Sequence, residues 1–373
     1  MMYRIAMVAA CPYPAPQGSQ VLLQGTAVAL RDRGHEVHLV VYGHGSGTDD
    51  SGLKVHRSIR FSGVARIAAG PYPTKPLLDL ALVNTLRHVL RTQTFDVIHA
   101  HNYEGLLVSL MARARLPIVY HAHNAMADEL PHFWKHAAPF GRWLDRTFPR
   151  RADVIIAPHQ RLADYLGECG CERARIHVIP PSIDARLFKV SPCSDAIPPV
   201  LYTGNLDPYQ NLGLLFQSMA LVRKRIPQAR LQVATAQHGQ IPNAEMIPAP
   251  DFDALLRILA QDSVVACPRV SWSGYPIKLL NAMAAGKAIV ACENAAYPLE
   301  HEKSGIIVPN NDAEAFSEAL IRLLQDSQLR ERLGTNAREA ALAHHAPEPM
   351  AYAIEAVYCE VVEQTRTMAN AHF

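Results

Sequence analysis

The segment Ser271-Trp272-Ser273-Gly274-Tyr275-Pro276-Ile277-Lys278-Leu279-Leu280-Asn281 concentrates more usable chemistry than any other in the chain. A glycine-bearing loop runs into a helix that Pro276 is suited to open, since a first helical residue needs no N–H and tolerates a fixed φ. Lys278 then falls in the first turn, where a cation opposes the positive end of the helix dipole. That placement makes sense if a phosphate sits beside it. Asn281 follows at i+3 on the same face, so Lys278 and Asn281 are spaced to address a phosphate and a ribose hydroxyl together. Gly274, Tyr275, Pro276 and Ile277 bring backbone close to the same ligand.

Two other loops have the same grammar. Cys11-Pro12-Tyr13-Pro14-Ala15-Pro16-Gln17-Gly18-Ser19-Gln20 joins an apolar run to a helical stretch. Gly18 and Ser19 would there offer unpaired helix-start amides to an anion. The stretch reads equally as a plain strand–helix turn with Ser19 as N-cap. Gly204-Asn205-Leu206-Asp207-Pro208-Tyr209-Gln210-Asn211 repeats the arrangement in the second half. It is either a second phosphate-facing loop, led by Gly204 and Asn205, or an Asp-Pro turn with Asn211 as N-cap.

Histidines gather at the ends of two apolar runs, as His99-Ala100-His101 and His121-Ala122-His123. Strand alternation puts both members of each pair on one face. Such pairs could hold a metal, but no cysteine adjoins them and the nearest carboxylates, Glu104 and Asp128, fall in later helices. The expected role is metal-free, a single His of these pairs hydrogen-bonding or polarising a ligand hydroxyl. Asp251-Phe252-Asp253 has DxD spacing but reads as a helix start capped by Asp251. Cys169-Gly170-Cys171 supplies two thiols, too few for a zinc site. No metal and no cofactor are expected.

These residues need a scaffold that presents strand ends. Short apolar runs at 4–10, 36–42, 96–100, 118–121, 154–157 and 176–179 alternate with helical patterns at 21–33, 77–92, 106–115 and 161–167. After a Pro- and Ser-rich stretch over 191–199 the alternation restarts. Strands are expected at 200–203, 230–235, 264–267 and 288–291. Helices are expected at 212–226, 252–259, 276–285, 313–325, 329–344 and 349–365. This predicts an α/β protein of two doubly wound parallel-sheet domains, with ligands beyond the carboxyl ends of the strands and a cleft between the domains. The expected division is residues 1–182 and 183–349, with a last helix over about 350–373 that packs back on the first domain.

Composition narrows the function classes. The 373 residues carry 36 Lys and Arg against 34 Asp and Glu, a net charge of +2, which argues against a nucleic-acid partner. The seven cysteines are scattered with no CxxC pair, as expected of a reducing compartment. No stretch reaches the roughly 20 apolar residues needed to span a bilayer, and no signal peptide is visible. The expected location is cytoplasmic. One segment qualifies this: Trp134, Lys135, Arg142, Trp143, Arg146, Phe148, Arg150 and Arg151 mix aromatic and basic residues. They suit peripheral contact with the anionic inner face of a membrane, or else an ordinary helix with its aromatics turned inward.

Taken in order, these segments resemble glycosyltransferase family 4, the retaining GT-B enzymes, over nearly the whole chain. The resemblance rests on the Gly18 loop, Arg33-Gly34-His35-Glu36-Val37, Asp96-Val97-Ile98-His99 and the His123 strand end. It continues through Ile179-Pro180-Pro181-Ser182-Ile183-Asp184, the Gly204 loop, the block 276–290 and Ser304-Gly305-Ile306-Ile307-Val308. It implies transfer of a sugar, with retention and without a metal, from a nucleotide-sugar donor, UDP-linked by family habit. The implied acceptor is a glycan, a lipid-linked sugar or another envelope precursor. It implies that Gly18 and Ser19 approach the donor diphosphate and that His123 lies by the reacting sugar. Ser273 and Asn281 stand where the family has the two glutamates of E-x7-E, and Asn205 and Gln210 stand where it has a basic pair. Lys278 is expected to supply the missing charge and Ser273 a contact to the donor sugar. Those departures leave two other readings open: a catalytically silent subunit of the same fold that binds a partner or nucleotide, and a GT-B enzyme such as a sugar-nucleotide epimerase.

Overall fold

The structure is a computed structural model, and it describes residues 1–14, 18–45, 51–62, 73–189, 196–237 and 239–370. Most of the linker expected over 191–199 lies outside the described residues. The chain divides into two compact units. The first takes in Ser19–Ser182 with the N-terminal strand and Pro347–Phe373; the second spans Ile183–Ala346.

The strands of the first unit are β1 (Arg4–Ala9), β2 (Glu36–Val41), β3 (Lys54–Arg57), β4 (Val97–His101), β5 (Ile118–His121), β6 (Val154–Ala157) and β7 (Ile176–Val178). They form one sheet in the order β3-β2-β1-β4-β5-β6-β7, every pairing parallel. Its helices are α1 (Gly18–Asp32), α2 (Lys75–Thr92), α3 (Asn102–Ala112), α4 (Met126–Glu129), α5 (Ala138–Thr147) and α6 (Gln160–Glu168). The inner strands are mostly apolar and buried because helices cover both faces, and β2, β4 and β5 carry buried histidines among the apolar residues.

The second unit holds β8 (Val200–Thr203), β9 (Leu231–Thr235), β10 (Glu245–Pro248), β11 (Val264–Cys267), β12 (Ala288–Cys292) and β13 (Ile306–Val308). Their order is β10-β9-β8-β11-β12-β13, again all parallel. The helices are α7 (Leu212–Arg225), α8 (Phe252–Leu259), α9 (Ile277–Ala284), α10 (Ala313–Gln325) and α11 (Ser327–His344). Leu215, Met219 and Val222 of α7 and Phe316, Leu320 and Leu324 of α10 fill one face of this sheet. Leu279, Leu280 and Met283 of α9, with Ala337 and Ala341 of α11, fill the other.

The last helix, α12 (Pro347–Asn370), belongs to the first unit. Met350, Ile354, Val357, Tyr358 and Val361 pack into one core with Ile5, Met7, Val97 and Val119. Arg33 pairs with Glu355 at the edge of that contact. No helix among the described residues is long and apolar enough to cross a membrane.

Each sheet reverses its strand order once. The reversal falls between β1 and β4 in the first unit and between β8 and β11 in the second. At such a point the connections leave toward opposite faces, and the strand ends open a crevice where doubly wound folds bind ligands.

Candidate functional site

In the second unit the crevice is built by the loops that leave β8 and β11. Gly204 ends β8 with φ +117°, and its N–H donates to Ala234 O at 2.7 Å. That φ favours glycine, and a Cβ here would also displace the end of the Lys278 side chain from its present position. Lys278, the second residue of α9, lays its ammonium 3.0 Å from Tyr202 Oη and 3.1 Å from Asn205 Oδ1, with Nζ 5.0 Å from the Tyr202 ring centre. Both of these acceptors are neutral. Asn205 Oδ1 also accepts from Gln210 Nε2 at 2.8 Å, and Asn205 Nδ2 donates to Tyr209 Oη at 2.8 Å and to Asp207.

Arg269, two residues beyond β11, stacks its guanidinium 5.4 Å from the Tyr209 ring centre and donates to Ser271 Oγ at 3.1 Å. Burial first, and the charge of Arg269 second, lower the Lys278 ammonium to about 7, against weaker pulls from Cys267 and Asp207. Two cations thus share one crevice, and one is desolvated enough to give up its proton near neutrality. A bound phosphate would reverse that shift.

In the first unit the crevice region is uncharged where it is most buried. Asn102, with φ 60°, turns the chain from β4 directly into α3 and caps Tyr103 N with its own Oδ1 at 2.8 Å. His101 pairs with Ala9 on one side and His121 on the other. His101 Nδ1 lies 3.2 Å from His123 Nε2, His99 Nε2 lies 3.2 Å from His121 Nδ1, and His99 Nδ1 lies 2.5 Å from Tyr358 Oη. Burial lowers all four imidazoles; His123 falls to about 4, with Glu104 pulling the other way. His123 is therefore neutral at pH 7, a hydrogen-bonding group and not an acid. Beside it, Lys75 and Glu104 form an ion pair.

The structure brings Gly204, Asn205 and Lys278 together as the sequence suggested, with Asn205 anchoring the lysine. It separates others. Ser273 is only 1% exposed and has its own contacts inside the protein, so reaching a sugar hydroxyl requires the loop 271–276 to open. Tyr275 is turned inward, its hydroxyl 3.2 Å from His345 Nε2. Asn281 is buried. Pro276 precedes α9 as its N-cap residue, and Ile277 is the first helical residue, because Pro276 has ψ 76°, outside the helical range. Gly274 lies in the loop before it, partly exposed. Asn211 does not cap α7: its φ is 54° and its side chain bonds Asn311. Gly18 and Ser19 form the first turn of α1 and do not precede it; the Ser19 side chain and residues 15–17 lie outside the described residues. Asp251 does cap α8, accepting from Ala254 N at 2.7 Å, and Asp253 pairs with Arg186, so the DxD spacing serves the helix. Of the aromatic residues in the basic segment, Trp134 and Trp143 are about half exposed, as is the neighbouring Phe140, while Phe148 packs inward against Tyr103, Met126 and Leu130.

Sequence reasoning passed over Arg269, Tyr202, Tyr209 and Tyr358. For Arg269 a signal existed: a basic residue just past a legible buried strand, in a fold that binds ligands at strand ends.

Known proteins match the chain along the same division. Residues 16–187 match the model described as Glycosyltransferase Family 4, and residues 197–326 match Glycosyl transferases group 1. The chain is 28% identical to a phosphatidyl-myo-inositol mannosyltransferase of Mycolicibacterium smegmatis, over 88% of this chain and 86% of that one. It is 24% identical to a D-inositol 3-phosphate glycosyltransferase of Corynebacterium glutamicum, over 91% and 92%. Among solved structures, Anabaena HepE in complex with UDP and glucose superposes with a TM-score of 0.73 at 18% identity, covering 95% of this chain and 98% of that one.

Proposed function

This chain belongs to glycosyltransferase family 4 and has the GT-B fold, and we propose that it moves a sugar from a UDP-linked donor to a glycan or lipid-linked acceptor, with retention. The observation that carries this reading is the pair of cations at the β8/β11 crevice. As the sugar–oxygen bond breaks, negative charge builds on the departing diphosphate. The Lys278 ammonium and the Arg269 guanidinium are already in place to meet it, and preorganised charge in a desolvated crevice is the largest single source of rate enhancement. The role taken elsewhere by a metal is thereby assigned to side chains. Gly204 lets the donor and Lys278 approach closely, and the amides of Gly274 and Tyr275 complete the phosphate contacts, the Ile277 amide being held by Tyr275 O at 3.0 Å. His123 offers its ring to a sugar hydroxyl. Ser273 and Asn281 act by holding the loop and α9 in place.

The donor class is tested by thermal shift against UDP, GDP, ADP and their sugar conjugates, with and without magnesium. Binding to the folded state raises the midpoint. We expect a rise with the uridine series, independent of magnesium. No rise with any nucleotide at millimolar concentration, from a folded sample, would overturn the donor assignment.

A second reading, a subunit that binds nucleotide without turnover, is favoured by the burial of Ser273 where the family carries a glutamate. It predicts the same midpoint rise with neither transfer nor donor hydrolysis. The acceptor side has its own observation. On α5, Phe140 stacks on Trp143 at 5.8 Å, both half exposed, with Arg142 and Arg146 on the same short helix. An apolar and basic surface of this kind suits an anionic leaflet and a lipid-linked acceptor. Flotation with anionic but not with neutral liposomes is expected; absence from both removes the membrane from the proposal.

A further inference from the structure

The two His-x-His pairs, separate in sequence, become one cluster in the fold. Parallel register sets His101 opposite His121, and alternation turns His99 to the same side. His99, His101 and His121 are 0%, 2% and 1% exposed. Their rings stack at centroid distances of 4.5, 4.8 and 5.3 Å.

Hydrogen bonding within the cluster is incomplete. His101 Nε2, His121 Nε2 and His123 Nδ1 are buried without a partner. Each such atom costs about 1–3 kcal/mol if left unsatisfied. Buried polar atoms almost always have partners, and those without one call for a specific explanation, of which a bound ion is one. The orphaned atoms here are ring nitrogens of one side-chain type, which are good ligands for zinc, copper and nickel.

The spacing agrees. One ring nitrogen from each of His99, His101 and His121 lies within 4.8 Å of the other two. The His99 Nε2 to His121 Nδ1 separation is 3.2 Å. Two imidazoles bound to tetrahedral zinc at about 2.0–2.1 Å have their nitrogens roughly 3.3 Å apart. Two of the three ligand nitrogens, His99 Nε2 and His121 Nδ1, therefore stand at about the coordination spacing, and His101 Nε2, the unpartnered nitrogen of the third ring, is the remaining ligand; His121 Nε2 and His123 Nδ1 stay outside the set. Tyr358 Oη, on His99 Nδ1, is the kind of outer hydrogen-bond partner that fixes the orientation of a metal-bound histidine.

We propose that His99, His101 and His121 bind one transition-metal ion of the zinc class, in the first unit, at a site distinct from the crevice that holds Lys278 and Arg269. The ion joins the carboxyl ends of β4 and β5 and takes no part in the transfer. The expectation of no metal rested on the lack of a neighbouring cysteine or carboxylate; a three-histidine site needs neither. The inference is independent of the donor assignment.

The test begins with the full chain stripped by a chelator. Titration with Zn2+ against a chromophoric chelator is expected to give one tightly held ion per chain and a raised thermal midpoint. Co2+ is expected to give the intense visible bands of four-coordination, and the electron paramagnetic resonance of the Cu2+ form to show splitting from three nitrogens. His101→Gln and His121→Gln are expected to fold, because glutamine can satisfy its own hydrogen bonds there, and to lose stoichiometric zinc. His123→Gln is expected to keep it. Retention of the ion in both His101→Gln and His121→Gln, or absence of a stoichiometric ion in the wild type, overturns the site. The copper spectrum needs no variant: fewer than three coupled nitrogens overturns it even if the glutamine variants do not fold.

Discussion

The two units share one strand order and fill its crevice in opposite ways. The second unit places cations there: Lys278 against Tyr202 and Asn205, and Arg269 against Tyr209. The first unit places imidazoles that burial keeps neutral. The same backbone geometry can therefore present fixed positive charge or uncharged hydrogen-bonding groups, and the side chains at the strand ends decide which. Fixed charge suits a diphosphate, whose negative charge is full before transfer and rises during it. Neutral donors and acceptors suit hydroxyl groups. The fold supplies the position, and function is read from the site.

The comparison can be broken by experiment. If Lys278 meets the departing diphosphate, Lys278→Ala lowers kcat/KM for the donor by about a thousandfold, the upper range for removing one preorganised charge partner. A loss under tenfold in steady-state assays would remove the lysine from the transition state. His123→Ala is expected to lower kcat about a hundredfold while the donor Kd, measured by calorimetry, changes less than about twofold. An equal loss of donor affinity would erase the division of labour between the units. The smallest effect is that of pH. Lys278 is lowered to about 7, and its charged form is the one that binds phosphate. UDP-sugar affinity should be constant below pH 7 and fall by up to about tenfold per unit above it, until the pKa of the complex is reached. The free protein moves the other way. Above pH 7 the unfolded chain holds a proton on this lysine that the folded chain has released, so stability rises with pH toward 10.5, the ordinary lysine value. Lys278→Met should flatten both slopes, and an unchanged pH profile would exclude the lysine as their source.

The sequence made the scaffold readable wherever strands are buried on both faces. β5, β6, β8 and β11 coincide with apolar runs at 118–121, 154–157, 200–203 and 264–267. It concealed β3 and β10, which lie at sheet edges with exposed first and last residues, so Lys54-Val55-His56-Arg57 and Glu245-Met246-Ile247-Pro248 carry no apolar run. It also concealed β13, an edge strand whose Ile306-Ile307-Val308 is apolar but only three residues long. The proposed site divides similarly. Lys278 was legible because a cation in a first helical turn violates a local rule. Arg269 carried a weaker signal, its place just past a buried strand, because a loop arginine violates no such rule; the neighbouring of β8 and β11 gives it meaning. The histidine pairs showed their spacing but not their union, which depends on β4 lying beside β5.

The return of α12 to the first unit has a consequence for how the protein is made. Residues 183–346 leave the ribosome as a continuous stretch carrying every strand of their own sheet, so the second unit can close while synthesis continues. The first unit, although begun earlier, lacks Ile354, Val357, Tyr358 and Val361 of its core until α12 has followed the whole of residues 183–346. During that interval an apolar sheet face around Ile5, Met7 and Val119 stays uncovered, the kind of surface that chaperones hold and that aggregates when they do not. Of the two units, the one begun first is thus completed second.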